Sequence, residues 1–399
     1  MDLDKFTEWP YTCCVIKRAY EPLDPFLKPN QVLMIYGPRR VGKTTLLQTY
    51  LASTSLRYRS AVGDDLPTQH LLSSLDVRLI REYLEGYELL AIDEAQYVPD
   101  IGRALKIVVD QLPGIYVIAT GSSSFELTGQ IGEPLTGRKR TLTLYPFAQS
   151  ELLSIDNRYD LRAELENFLI FGTYPEVVLA ETRSAKIEFV REIAGSYLLK
   201  DILAFERVRS ARKIWDLLKL VAFQVGSELS FNEMANALAV DAKTVQGHLD
   251  LLEKAFVLYR LGGFSRNLRK EVTRKAKYYF YDNGLRNAVI AQFNRLDQRD
   301  DVGQLWENFL VIERLKRQAY TFKVANLYFW RTYDQQEIDW IEEHEGVLDG
   351  YEFKWSERER PAPPKAWQGT YPDASYTVIN RDNYQEFLLG RQGSAGGSP

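Results

Sequence analysis

GPRRVGKT, residues 37–44, is a complete G-x-x-x-x-G-K-[ST] phosphate-binding loop, preceded by the apolar run VLMIY (32–36) and followed by TLLQTYL (45–51). The flanking runs predict the strand and the helix that such a loop joins. Gly37 and Gly42 have the backbone freedom to turn successive N–H groups inward, and Pro38, Arg39, Arg40 and Val41 complete a cradle for phosphate oxygens at a helix N-terminus. Lys43 is expected to reach the β- and γ-phosphates as a point charge and the Thr44 hydroxyl to ligate Mg²⁺, with Thr45 beside it. A Gly-rich turn with a surface lysine is the bland alternative. The context predicts a site for a nucleoside triphosphate.

Two further apolar runs end in polar groups suited to such a site. YELLAIDEAQ (87–96) reads as a buried parallel strand delivering Asp93 and Glu94 to a ligand crevice. An acidic pair after a strand is, taken alone, more often a solvated turn. Beside the loop, Asp93 is expected to hold the Mg²⁺ shell and Glu94 to orient and polarise the attacking water. GIYVIATGSSS (114–124) ends in Ser122, Ser123 and Ser124, of which Ser122 is the expected phosphate sensor. For any one of the three, an N-cap of a following helix is the alternative.

At 399 residues, 45% hydrophobic and 26% charged, the chain exceeds what a single core ordinarily serves, so two or three cores are expected. Cys13 and Cys14 are adjacent, too strained to pair with each other in ordinary geometry, and no C-x-x-C or His cluster offers a zinc site. That usage fits a reducing compartment. No apolar run approaches the roughly 20 residues of a membrane span, and the first residues lack a basic stretch leading into an apolar one. A soluble, cytoplasmic protein is expected, with no membrane partner. Residues 393–399, GSAGGSP, read as a flexible linker or cloning scar.

GPRRVGKTTLL, AIDEAQ, IATGSSS, LTGRKRTLTLYPF (135–147) and FGTYPEVV (171–178) together resemble the AAA-type ATPases of bacteria and archaea that carry a C-terminal domain of unknown function. The resemblance runs through most of the chain. It implies ATP and Mg²⁺ as cofactors, an α/β fold with a parallel sheet over residues 1–150, and a homo-oligomer, a ring being one form. It also implies that Arg138 and Pro175 belong to a nucleotide site, Arg138 as an arginine finger given to a neighbouring subunit. Arg140 competes for that role, and a plain surface arginine is the alternative.

From 151 to 211, LRAELENFLIFG and AKIEFVREIAGSYLLKDIL place apolar residues at helical steps, which predicts a helical lid. Gly172 and Pro175 interrupt it at a hinge or an ordinary turn. Residues 212–290 contain SFNEMANALAVDAKTVQGHLDLLEKAFVLYRL (230–261), a helix-turn-helix pattern whose second helix carries Lys243, Thr244, Gln246 and His248. GGFSRNLRKEVTRKAK (262–277) then supplies Arg266, Arg269, Lys270, Arg274, Lys275 and Lys277, and YYFYD would close a hairpin: a winged helix with a basic wing, and DNA as the expected partner. Against this stand 50 basic and 54 acidic residues, a net charge of −4. A protein-docking module is the alternative.

Residues 291–392 hold Glu307 in the helix QLWENFLVIERLKRQ, Asp339 in the strand EIDWI, and Glu352 and Lys354 in the strand GYEFKW. Strand alternation turns Glu352 and Lys354 to one face, and EEHEGVLDG joins the two strands as a hairpin, bringing Asp339 towards Glu352. Two such carboxylates would bind Mg²⁺ or Mn²⁺. The order resembles the PD-(D/E)xK nuclease core, with Glu307 as its helical acid, except that Ile338 rather than Pro precedes Asp339. An E-x-K on a strand is otherwise an ion-paired surface. Three functions are therefore in view: an ATP-driven DNA-binding machine, with branched DNA suggested by analogy to junction resolvases; an ATP-gated metal-dependent nuclease; and a nucleotide switch for a protein partner.

Overall fold

Val32–Tyr36 (β1) is buried along its whole length, as befits an apolar strand covered on both faces. The computed structural model, which describes residues 16–122, 135–197, 211–265, 276–332 and 334–390, pairs β1 in parallel with Tyr116–Gly121 (β4) and Lys139–Thr143 (β5). Tyr58–Val62 (β2) and Leu89–Asp93 (β3) complete an all-parallel sheet of order β2-β3-β4-β1-β5. Lys43–Ser53 (α1), Leu66–Ser73 (α2), Val77–Tyr83 (α3) and Ile101–Gln111 (α4) lie in the connections. Asp65 and Asp76 cap α2 and α3 through their carboxylates. Alternation along the strands sends Leu33, Ile35 and Ala91 into one apolar cluster and Met34, Leu90 and Ile92 into another. Because β2, β3 and β4 lie on one flank of β1 and β5 on the other, the loops after β1, β3 and β4 open onto one crevice.

The helical region that follows is built of short pieces: Gln149–Leu152 (α5), Arg158–Ala163 (α6), Leu165–Phe171 (α7), Pro175–Val178 (α8) and Arg183–Glu192 (α9). Gly172 ends α7 with φ 78°, and a Cβ there would lie 1.9 Å from Asp282 Oδ1. Asp282 also accepts from Thr173 N at 2.7 Å, so the turn before Pro175 is braced from a distant part of the chain.

Ala211–Phe223 (α10), Phe231–Leu238 (α11) and Ala242–Lys254 (α12) form the helix-turn-helix region. Ala239 makes the turn in the left-handed conformation, and Asp241 caps α12 by accepting from Thr244 N at 2.7 Å. Leu258–Gly263 (β6) and Ala276–Phe280 (β7) then pair antiparallel. This hairpin does not stand alone as a wing. Gly262 and Gly263 pair in parallel with Tyr328 and Phe329 of Asn326–Arg331 (β8), which joins Glu337–His344 (β9), Val347–Phe353 (β10) and Ser375–Ile379 (β11) in a mixed sheet of order β11-β10-β9-β8-β6-β7. Strands from both sides of residue 290 thus share one sheet.

Asn283–Val289 (α13), Val302–Tyr320 (α14), Lys365–Thr370 (α15) and Tyr384–Leu389 (α16) pack around it. Helix α14 is the hub. Asn308 answers both backbone groups of Phe280, accepting from its N–H at 2.7 Å and donating to its O at 2.9 Å. Arg314 donates to Glu342 Oε2 at 2.9 Å and to Phe387 O at 2.6 Å. The largest apolar cluster runs through all these parts, from Ile16 to Leu388, and Trp330, Ile338, Ile341, Trp367 and Tyr371 form a smaller one. No described helix is long and apolar enough to cross a membrane.

Candidate functional site

The loop after β1 approaches the chain so closely that a Cβ on Gly37 would lie 1.9 Å from Leu144 O, and Gly42 begins α1 in the left-handed conformation. Lys43, 4% exposed, donates to Gly37 O at 3.0 Å and Pro38 O at 2.8 Å, so its ammonium lies inside the loop. Thr44 and Thr45 are exposed at the start of α1. Thr44 Oγ1 donates to Asp93 Oδ2 at 2.7 Å, which brings loop and β3 together as the sequence predicts. The other Asp93 oxygen accepts from Thr120, whose own hydroxyl oxygen accepts from Glu94 N at 3.1 Å. Glu94 has φ 51°, a conformation uncommon outside glycine, and its carboxylate accepts from Gln96. Ser122 is fully buried just after β4; Ser123 and Ser124 lie outside the described residues.

Arg40 bridges the loop to the helical region, with Nη1 2.8 Å from Glu176 Oε2 and Nη2 2.7 Å from Glu192 Oε1. Glu176 follows Pro175 at the start of α8, so Pro175 sits one residue from a side chain clasping the loop. Arg39 donates to the Tyr97 hydroxyl at 2.9 Å. Arg18 supports the loop from beneath. It is buried, pairs with Glu151 at 2.8 Å, donates to Tyr145 O at 2.7 Å and to Val41 O, and lies over the Phe147 ring. The sequence singled out neither Arg18 nor Thr120, because nothing local distinguishes a buried arginine or a strand threonine from ordinary ones.

Arg138 precedes β5, whose first residue, Lys139, is in register with Val32, the first residue of β1. It therefore lies at the end of the sheet opposite the loop, paired with Asp110. Arg140 is committed to Phe26 by a cation–π contact at 4.7 Å and to Pro25 O at 3.2 Å.

Residues 29–153 match a family described as AAA domain. This segment is an AAA domain. Beyond it, residues 162–296 match one domain of unknown function (DUF8612) and residues 302–391 another (DUF4143). Similar over most of their length are an uncharacterized protein of Mycobacterium tuberculosis, 28% identical over 355 residues (86% of this chain, 75% of the relative), and one of Haemophilus influenzae, 27% identical over 346 residues (80% and 82%). An archaeal relative from Methanocaldococcus jannaschii is 24% identical over 376 residues (89% and 82%). A solved Signal Transduction ATPase with Numerous Domains protein from Pyrococcus horikoshii, with a tetratricopeptide repeat sensor, aligns at TM-score 0.24 and 13% identity over 74% of this chain and 46% of that one. The AAA domain is thus the first part of an α/β chain with additional C-terminal domains.

On α12, Lys243 and Gln246 are exposed, while Thr244 is half-buried and its hydroxyl donates to Asp241 at 3.1 Å. His248 is half-buried. Arg266, Arg269, Lys270, Arg274 and Lys275 lie outside the described residues. The expectation that Lys277 meets DNA is corrected: unlike an exposed wing cation, it is 2% exposed. As a β7 residue in the shared sheet it points inward, with Nζ 3.1 Å from Glu307 Oε1, 2.5 Å from Glu337 Oε1 and 3.6 Å from Asp339 Oδ1.

Asp339, Glu352 and Lys354, which the spacing brings towards one another, and Glu307, which the nuclease resemblance adds, lie in one neighbourhood, and Lys277, Tyr279 and Glu337 stand among them. Tyr279 donates to Glu307 Oε1 at 2.7 Å, Phe353 N to Asp339 Oδ2 at 2.8 Å and Lys354 to Glu352 Oε1 at 2.7 Å. Burial pushes the Glu307 carboxyl up to about 7, against the pull of Lys277 and with Asp339 adding to the rise. Burial, then Asp339, does the same to Glu352, also to about 7.

Proposed function

We propose that this chain hydrolyses ATP at the crevice lined by Lys43, Thr44, Asp93 and Glu94 and couples the reaction to DNA bound at α12 and the basic run after β6. The observation that carries the ATPase reading is the 2.7 Å contact between Thr44 Oγ1 and Asp93 Oδ2. A hydroxyl and a carboxylate meeting at the mouth of a phosphate loop are the oxygen ligands that Mg²⁺ takes, and the ion supplies charge neutralisation on the phosphates. Lys43 is the point charge beside them. Glu94 orients and deprotonates the attacking water, and Ser122, at the end of β4, reports on the terminal phosphate.

Arg138, remote from its own crevice, supports an arginine finger offered to a second copy, and so a closed homo-oligomer. The DNA reading is supported by the exposure of Lys243 and Gln246 and by the five cations of residues 266–275. Its test is ATP turnover and binding measured with single-stranded, duplex and four-way DNA. Acceleration by one of them, with affinity falling steeply as salt rises, is expected. If none binds at low salt and none changes turnover, DNA drops out and a nucleotide switch for a protein partner takes its place.

A further inference from the structure

The carboxylates that the nuclease resemblance assigns to a metal do not fit one. Mg²⁺ or Mn²⁺ needs several oxygens converging on a point at about 2.0–2.1 Å, free of other donors. Here Asp339 Oδ2 is taken by the Phe353 N–H and Glu352 Oε1 by Lys354, while Glu307 Oε1 accepts from both Tyr279 and Lys277. Glu307 Oε1 and Asp339 Oδ1 face a lysine nitrogen instead, and Glu352 Oε2, a buried oxygen left without a hydrogen-bond partner among the described residues, stands alone.

We infer that the Lys277 ammonium occupies the place of a divalent cation in this cluster, so that the C-terminal sheet keeps a nuclease-like arrangement around an internal counter-ion. An ammonium has three N–H donors, and three carboxylates, those of Glu307, Glu337 and Asp339, lie within 3.6 Å of it. The Phe329 ring lies 5.5 Å from the same nitrogen, and the residue is 2% exposed, so the ammonium itself is shielded from solvent. Its backbone is fixed by pairing with Leu261 in the hairpin and by a bridge to Glu228. The cation therefore comes from β7, which follows the helix-turn-helix region in sequence, whereas the three acids come from α14 and β9. One part of the chain plugs a site formed by the other. Without Lys277 the three carboxylates face one another uncompensated, and a divalent ion becomes the natural replacement.

The test is Mn²⁺ uptake by the nucleotide-free full chain, followed by electron paramagnetic resonance of the free ion. Wild type and Asp339→Asn should take up equal amounts. Lys277→Met should gain a site, lose it again in Lys277→Met/Asp339→Asn, and melt at a higher temperature with Mn²⁺ than without. Asp339-dependent uptake by wild type overturns the inference, as does a folded Lys277→Met that binds no more Mn²⁺ than wild type. Should Lys277→Met not fold, the comparison of wild type with Asp339→Asn decides by itself. None of these readouts depends on ATP hydrolysis or on DNA.

Discussion

The Tyr320 hydroxyl, in the last turn of α14, accepts from Tyr145 N at 3.2 Å and from Arg18 Nη2 at 3.4 Å, and that same guanidinium donates to Val41 O of the phosphate loop. A side chain of the C-terminal part is therefore two contacts from the nucleotide cradle. Glu313 and Lys316 on the same helix reinforce the joint, accepting from Gln149 N at 2.7 Å and donating to Phe147 O at 3.0 Å. Replacing Tyr320 by Phe leaves a buried N–H without its acceptor, a loss of about 1–3 kcal/mol in chemical denaturation. ATP affinity should fall with it, because Arg18 loses a partner. Unchanged affinity in isothermal titration would mean that the loop does not feel α14.

The division of labour at the crevice predicts different kinetics for neighbouring acids. Glu94→Gln should retain ATP binding and lower turnover by about 10²–10⁴-fold, the usual range for a positioned base. Asp93→Ala should lose Mg²⁺-dependent affinity as well. Equilibrium binding of a fluorescent ATP analogue with and without Mg²⁺, beside steady-state turnover, separates the two.

Arg40 predicts an effect on function without one on stability. Its pairs with Glu176 and Glu192 are partly exposed, with acid side chains 41% and 46% accessible, so each contributes about 0.2–1 kcal/mol. Arg40→Ala should shift the melting temperature by only a few degrees, roughly what such energies allow. KM for ATP should rise, since the loop is released from α8 and α9. A large drop in melting temperature with an unaltered KM would reject the clasp.

Stability should depend on pH through Glu307 and Glu352, whose carboxyls are raised from 4.5 to about 7. Between those values the folded chain holds protons that the unfolded chain has released. Stability should therefore fall as pH rises through this window and level off above it. Urea midpoints across the window check the sign, and Glu307→Gln should flatten the slope.

For DNA, Lys243→Ala should lower the salt dependence of binding by about one unit of slope, as the loss of one phosphate contact does. Electrophoretic titrations at several salt concentrations measure it. An identical slope would place α12 away from the backbone of the nucleic acid.

The nucleotide site was legible because its signals are local. A loop of eight residues between a strand and a helix, and an acidic pair ending an apolar run, need no knowledge of distant contacts, and Thr44 meets Asp93 accordingly. What escaped notice depends on long-range packing. Arg18 reaches Glu151 across 133 positions, and Thr120 is recognisable only once β3 and β4 lie side by side. Lys277 was misread for the same reason. In sequence it ends a basic run; in space its strand, at the edge of a sheet completed by residues some 50 positions later, is buried along its whole length. Strand alternation and the hairpin suffice to bring Asp339 towards Glu352, and the nuclease resemblance adds Glu307, but the cation beside them is set by long-range packing.

The six-stranded sheet has a mechanical corollary. Since β6 hydrogen-bonds to β8, a fragment cut after residue 290 would strip one flank of that strand bare and invite edge-to-edge aggregation. The polypeptide on either side of residue 290 is accordingly one folding unit at this sheet, and neither half can be expected to keep its strands when separated from the other.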